Sequence, residues 1–108
     1  MKDDSPIREA TLFILLSLSQ GPQHGYAMMQ LVAGMSNGRV QLSTGTLYGG
    51  IKRLLKVGWI ERAGEEVENG RNRKLYRLTE DGRQALATEI ERLESELNAD
   101  KQWRPKGA

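Results

Sequence analysis

The chain has 108 residues, of which 38% are hydrophobic; this suits one domain with a thin core that gains stability by pairing with a copy of itself. It has no cysteine, which excludes a disulfide framework, a thiolate metal site and a cysteine nucleophile and suits a reducing compartment. The net charge is +2, the longest apolar run (Leu12 to Leu16) is far short of the roughly 20 residues that span a bilayer, and the acidic start Met1-Lys2-Asp3-Asp4 is unlike a secretory signal, so a cytoplasmic protein without a membrane partner is expected.

Ser5-Pro6 reads as an N-cap followed by proline at the first helical position. Ile7, Ala10, Phe13, Ile14 and Leu18 follow at helical spacing, and Leu12, Leu15 and Leu16 cover a second side. A helix apolar around most of its circumference is buried on most of it, so a partner chain is expected over the second side. A second helix is predicted from about His24 to Ser36, with Met28, Leu31, Val32 and Met35 as its stripe and Asn37-Gly38 as its stop. His24, the single histidine, reads as a helix-entry residue held by hydrogen bonds. The alternating run Arg39 to Leu42 predicts a minor strand.

Ser43 caps a third helix running to about Val57 and stopped by Gly58. Leu47, Ile51, Leu54 and Leu55 give its buried face, while Thr44, Tyr48 and Lys52 share an outer face. The period then changes: Trp59 to Val67 and Arg71 to Leu78 are β-like runs around Asn69-Gly70, a strong hairpin signal. In the second run Tyr76 and Leu78 point one way, and Arg71, Arg73, Leu75 and Arg77 the other. Thr79 opens a last helix whose Leu86, Ile90, Leu93 and Leu97 form a seam about two heptads long. The acids Glu89, Glu91, Glu94 and Glu96 read as its solvated face.

The fold class is therefore mostly α with a small β-hairpin: a winged helix-turn-helix with an added C-terminal dimerisation helix. Residues 1–79 read as the DNA-binding domain, 80–100 as the dimerisation helix and 101–108 as a flexible tail carrying Trp103. The dimer interface is expected at Ile7, Leu12, Leu15, Leu16, Leu86, Ile90, Leu93 and Leu97.

Charge follows the same division. Residues 1–38 hold two bases against three acids; residues 39–79 hold nine against four, a net of +5; residues 80–100 hold two against seven, a net of −5. A basic middle points to a polyanion. A helix fits the major groove of B-DNA, and the third helix offers Ser43, Thr44 and Thr46 at its N-terminus, then Tyr48, Lys52 and Arg53. The hairpin adds Arg71, Arg73, Lys74 and Arg77 for phosphates or the minor groove. The rival reading is a winged-helix module that binds another protein, with these charges merely solvating. The chain has no Ser-His-Asp set, paired carboxylates or cofactor fingerprint, so no enzyme, cofactor or metal is expected.

Three segments resemble the PadR-like regulators. Gly21-Pro22-Gln23-His24-Gly25-Tyr26 is similar to their G-P-x-H-G-Y motif, and Leu42-Ser43-Thr44-Gly45-Thr46-Leu47-Tyr48 to the motif that opens their recognition helix. Gly70 to Thr79 resembles their wing and the start of their last helix. The resemblance, to the short branch with one C-terminal helix, implies a winged-helix repressor that binds double-stranded DNA as a homodimer paired through its first and last helices, with Tyr48, Lys52 and the wing touching DNA. It also implies a small aromatic or hydrophobic effector as a candidate partner. The chain departs from the pattern at Gly49 and Gly50, where the family carries side chains. It departs again at Leu75, where a second tyrosine is frequent, and at Leu93, where some members carry a drug-stacking tryptophan.

Overall fold

The computed structural model describes residues 7–102, with side chains as far as Ala99. The elements are α1 (Glu9–Ser17), β1 (Gln23–His24), α2 (Gly25–Met35), α3 (Thr44–Val57), β2 (Ile60–Glu68), β3 (Arg71–Leu78) and α4 (Glu80–Gln102). Helices α1 to α3 pack around one core, the strands form an antiparallel sheet in the order β1-β3-β2, and α4 returns across α1.

Helix α1 starts later than its sequence suggests. Ser5 and Pro6 lie outside the described residues, Arg8 is extended (ψ 151°), and the helix begins at Glu9. The Ile7 amide donates to the Glu89 carboxylate on α4, so the backbone just before α1 meets that helix. As the apolar circumference requires, Ile14, Leu15 and Leu18 are fully buried while Ile7, Leu12, Phe13 and Leu16 are only partly covered.

His24 caps α2 with its side chain: Nδ1 accepts the Ala27 amide at 3.1 Å. Asn37 (φ 55°) and Gly38 (φ 81°) take the left-handed conformations that end the helix. The strand expected at Arg39 to Leu42 is absent. The Val40 amide donates to Ser36 Oγ (2.9 Å), which keeps the segment folded back on the end of α2. The third strand is instead Gln23–His24, paired with Tyr76 and Leu75 of β3.

Helix α3 has the expected ends. Ser43 Oγ accepts the Thr46 amide (3.1 Å), and Gly58 closes the helix at φ 81°. Leu47, Ile51 and Leu54 are buried, but Leu55 is exposed. Gly50 also belongs to the buried face. A Cβ there would lie 2.8 Å from Ile14 Cδ1, so the glycine is what lets α3 settle on α1. Gly49 points outward, with only the Arg53 guanidinium nearby at 3.8 Å. Gly49→Ala is therefore expected to stabilise the protein by about 1 kcal/mol, the helix-propensity difference; a lowered melting temperature would contradict it.

Asn69 (φ 52°) and Gly70 (φ 76°) make the tight turn between β2 and β3. A bulge between Arg62 and Glu65, containing Gly64 at φ 101°, shifts the register partway along the hairpin. Trp59 is half-buried against the core at the base of the wing. Thr79 joins wing to α4: its hydroxyl donates to the Gly58 carbonyl (2.6 Å) and accepts the Gly82 amide (3.0 Å). Helix α4 continues to Gln102, two residues past the boundary expected at 100. Trp103 and the rest of the tail lie outside the described residues.

Candidate nucleic-acid interface

The outer face of α3 is polar, cationic and free of acids. Thr44, Thr46, Lys52, Arg53 and Lys56 are exposed, and Tyr48 is 48% exposed. None of the three cations makes an ion pair among the described residues. The hydroxyl of Ser43 already has local partners: it accepts the Thr46 amide and donates to Thr46 Oγ1 (3.0 Å). Ser43 is thus first a helix cap, and the Thr46 hydroxyl keeps its own hydrogen to donate. The Tyr48 ring leans on α2 at Gly25. A Cβ at Gly25 would lie 2.9 Å from the ring carbon bearing the hydroxyl, so glycine there lets the ring lie close against α2, and a side chain would displace the ring.

Wing and α3 face each other across an open crevice of about 370 Å³ lined by His24, Gly25, Tyr48, Arg71, Asn72 and Lys74, among others. The four wing cations do not have equal freedom. Arg71 and Lys74 are exposed at this crevice. Arg77 is exposed but its Nε donates to Glu61 at 2.7 Å. Arg73 turns inward: its side chain is 24% exposed, Nε lies 3.1 Å from Glu68 Oε1, and the guanidinium stands 5.5 Å from the centre of the Tyr26 ring. That arrangement ties the wing to α2, while Arg73 still lines the crevice beside Arg71 and Lys74.

Beside Arg73, His24 Nε2 lies 3.5 Å from Glu68 and 3.8 Å from Glu66. The three side chains are close enough to share a cation, but the chemistry opposes a metal. Because Nδ1 accepts the Ala27 amide, the ring hydrogen is placed on Nε2 and faces the carboxylates. A metal on Nε2 would need the other tautomer and break the cap. Arg73 already supplies the positive charge. The cluster therefore anchors the wing, and His24 is the hydrogen-bonded entry residue its position suggests.

The apolar residues on α1 and α4 divide into two groups. Leu15 is fully buried and Leu86 nearly so within the chain's own core, so neither has surface left for a second chain. Ile7, Leu12 and Leu16 on the α1 side, and Ile90, Leu93 and Leu97 on α4, retain exposed area; Leu97 is 65% exposed. Between the two groups sits Glu89, only 6% exposed rather than part of a solvated face. Arg92 donates to it (Nε to Oε1, 3.2 Å), as does the Ile7 amide. The hydrogen bond from Arg92 outweighs burial and holds the Glu89 carboxyl below the usual carboxylate range. A depressed folded value adds stability that is present at neutral pH and lost as pH falls through the carboxylate range and below. Glu89→Gln is expected to lower the melting temperature at pH 7 and to flatten its decline in acid; an unchanged acid decline would contradict this. The sequence signal for Glu89 was its position three residues after Leu86, on the apolar side of the helix.

Three helices followed by a β-hairpin, a recognition-type third helix and a long terminal helix define a winged helix-turn-helix protein. The family model described as Transcriptional regulator PadR-like family matches residues 14–88, and the chain belongs to that family. Protein X of Lysinibacillus sphaericus is 32% identical over 74 residues, covering 68% of each chain. A PadR family transcription regulator from Clostridium difficile superposes with a TM-score of 0.73 at 21% identity, over 88% of this chain and 97% of that one. Bacillus subtilis PadR, solved in complex with operator DNA, gives a TM-score of 0.67 at 23% identity, over 77% of this chain and 47% of that one. At these identities the two structures bear on the fold. Among the described residues, no helix is long and apolar enough to cross a membrane.

Proposed function

We propose that this chain is a cytoplasmic repressor that binds double-stranded DNA as a homodimer, with residues 1–79 as the DNA-binding unit and 80–100 as the dimerisation helix. The observation that carries the reading is the acid-free outer face of α3, where Thr44, Thr46, Tyr48 and Lys52 stand exposed on a helix anchored by Leu47, Ile51 and Leu54. Side chains of this kind suit base edges and phosphates of the major groove, and Arg53, Arg71, Lys74 and Arg77 flank them for the backbone. The Bacillus subtilis PadR structure with operator DNA supports the same reading by likeness of fold.

Two copies related by a two-fold axis would place their α3 helices in successive major grooves, roughly 34 Å apart, on a near-palindromic operator. Repression follows from occluding polymerase. Release follows when a small aromatic or hydrophobic effector bound between the subunits changes the separation of the two helices. A gel-shift titration on promoter duplexes tests the reading: affinity is expected to fall steeply with salt, and absence of salt-sensitive binding to any duplex would refute it. Tyr48→Ala together with Lys52→Ala is expected to weaken operator binding by roughly tenfold or more, at about 1 to 3 kcal/mol per base contact, with the dimer intact. Unchanged binding would instead favour a protein partner on this face.

A further inference from the structure

We propose that the acidic strand of the wing restrains sequence-independent DNA binding, with Glu61, Glu65, Glu66 and Glu68 counterbalancing the cations of β3. This rests on the reading that the chain binds duplex DNA, and deepens it by assigning a role to residues on β2.

The observation is the register of the hairpin. Arg77, Lys74, Arg73 and Arg71 stand directly opposite Glu61, Glu65, Glu66 and Glu68 respectively. Residues opposite each other in an antiparallel pair present their side chains on the same face, so each cation of β3 has a carboxylate as its cross-strand neighbour. Two of the four acids hold a wing arginine: Glu61 on Arg77 at 2.7 Å and Glu68 on Arg73 at 3.1 Å. Glu65 sits 3.7 Å from Arg62 on its own strand.

The charge balance changes accordingly. Residues 60–78 carry five bases against four acids, a net of only +1, whereas α3 carries three bases and no acid. Arg39, the remaining base of the middle segment, is paired with Glu9 at 3.0 Å. The excess positive charge therefore stands on α3, and the wing is nearly neutral.

Hairpin stability does not account for Glu61 and Glu65. Their exposed ion pairs contribute little, and the hairpin is held by buried Ile60, Tyr76 and Leu78; Glu66 and Glu68 also anchor the wing to α2 through His24 and Arg73. The effect of all four on a duplex is larger. DNA carries one negative charge per roughly 1.7 Å of axis, and carboxylates within a Debye length, about 10 Å at 0.1 M salt, repel it. A wing arginine must also leave its glutamate to reach a phosphate. Non-specific binding is almost wholly electrostatic, so this is the component that the acids suppress.

The test is fluorescence-anisotropy titration of the full chain on a duplex of unrelated sequence, at several salt concentrations. Glu61→Gln/Glu68→Gln is expected to bind roughly tenfold tighter, with the slope of log affinity on log salt steeper by about 1 to 2, near the −0.9 expected per phosphate contact. Glu61→Asp/Glu68→Asp keeps the charges and should bind as the wild type does. Glu61→Gln alone leaves the carboxylates facing His24 in place; it is expected to give about threefold should the double variant melt below assay temperature. Equal affinity of wild type and Gln variants, with salt-sensitive binding by both, overturns the proposal and leaves the DNA-binding reading standing. No duplex binding by any of them overturns that reading and this proposal with it.

Discussion

Gly82→Ala is expected to destabilise the protein by about 3 kcal/mol, at the upper end of overpacking costs, and to lower its melting temperature by more than about 10 °C, at 4–8 °C per kcal/mol for a domain of this size. A Cβ at Gly82 would lie 2.8 Å from the Trp59 carbonyl carbon and 3.2 Å from its Cα, and would overlap the carbonyl oxygen itself. Nothing there can yield by changing rotamer, because the obstacle is backbone. The carbonyl is fixed by the Thr79 amide (3.0 Å), and the Trp59 amide by the Leu54 carbonyl (3.0 Å). The first turn of α4 would have to lift, losing the Thr79 cap that holds it to Gly58. Thermal melting followed by circular dichroism checks this. A Gly82→Ala protein that melts with the wild type would mean that α4 does not enter as described.

The second large effect concerns assembly. Ile90→Glu/Leu97→Glu places two carboxylates on the exposed part of the α4 seam while sparing the buried Leu86. The protomer should remain folded, since neither side chain is in its core. Dimerisation should fail, because burying unpaired carboxylates against a second apolar face is costly. Operator affinity is then expected to fall roughly hundredfold or more, the size of effect that linking two binding units supplies, while weak binding of a single subunit persists. Sedimentation equilibrium and duplex titration on the same samples give both readouts. A variant that stays dimeric, or a monomer that binds the operator as the wild type does, would contradict the account.

Most of the fold is written in local signals. Ser43 and Gly58 bracket α3, Asn69-Gly70 turns the hairpin, and Thr79 starts α4, because caps and positive-φ turns act within a few residues. What periodicity missed depends on partners far away in sequence. Gln23–His24 is a strand only because β3 lies beside it. Arg39 to Leu42 alternates like a strand, but Ser36 holds its backbone against α2. The burial of Glu89 depends likewise on Arg92 and on the Ile7 amide, 82 residues earlier in the chain.

The candidate interface follows the same division. The outer face of α3 was readable from a spacing of four residues, and Thr44, Tyr48 and Lys52 stand exposed as that spacing requires. The wing was not fully readable, since alternation along β3 cannot reveal the acids across from it. Register turns an apparently basic strand into a nearly neutral hairpin and directs Arg73 onto Tyr26 and Glu68. Gly50 shows the same limit: a departure inside the recognition helix is explained by Ile14 of α1.

Selection of bound duplexes from a random pool by the wild-type protein tests the central claim most directly. Two symmetry-related α3 helices should enrich one inverted repeat whose half-site centres are about one helical turn, 10 to 10.5 base pairs, apart. A recovered pool with no common sequence, or with a single half-site lacking its inverted copy, would contradict the account.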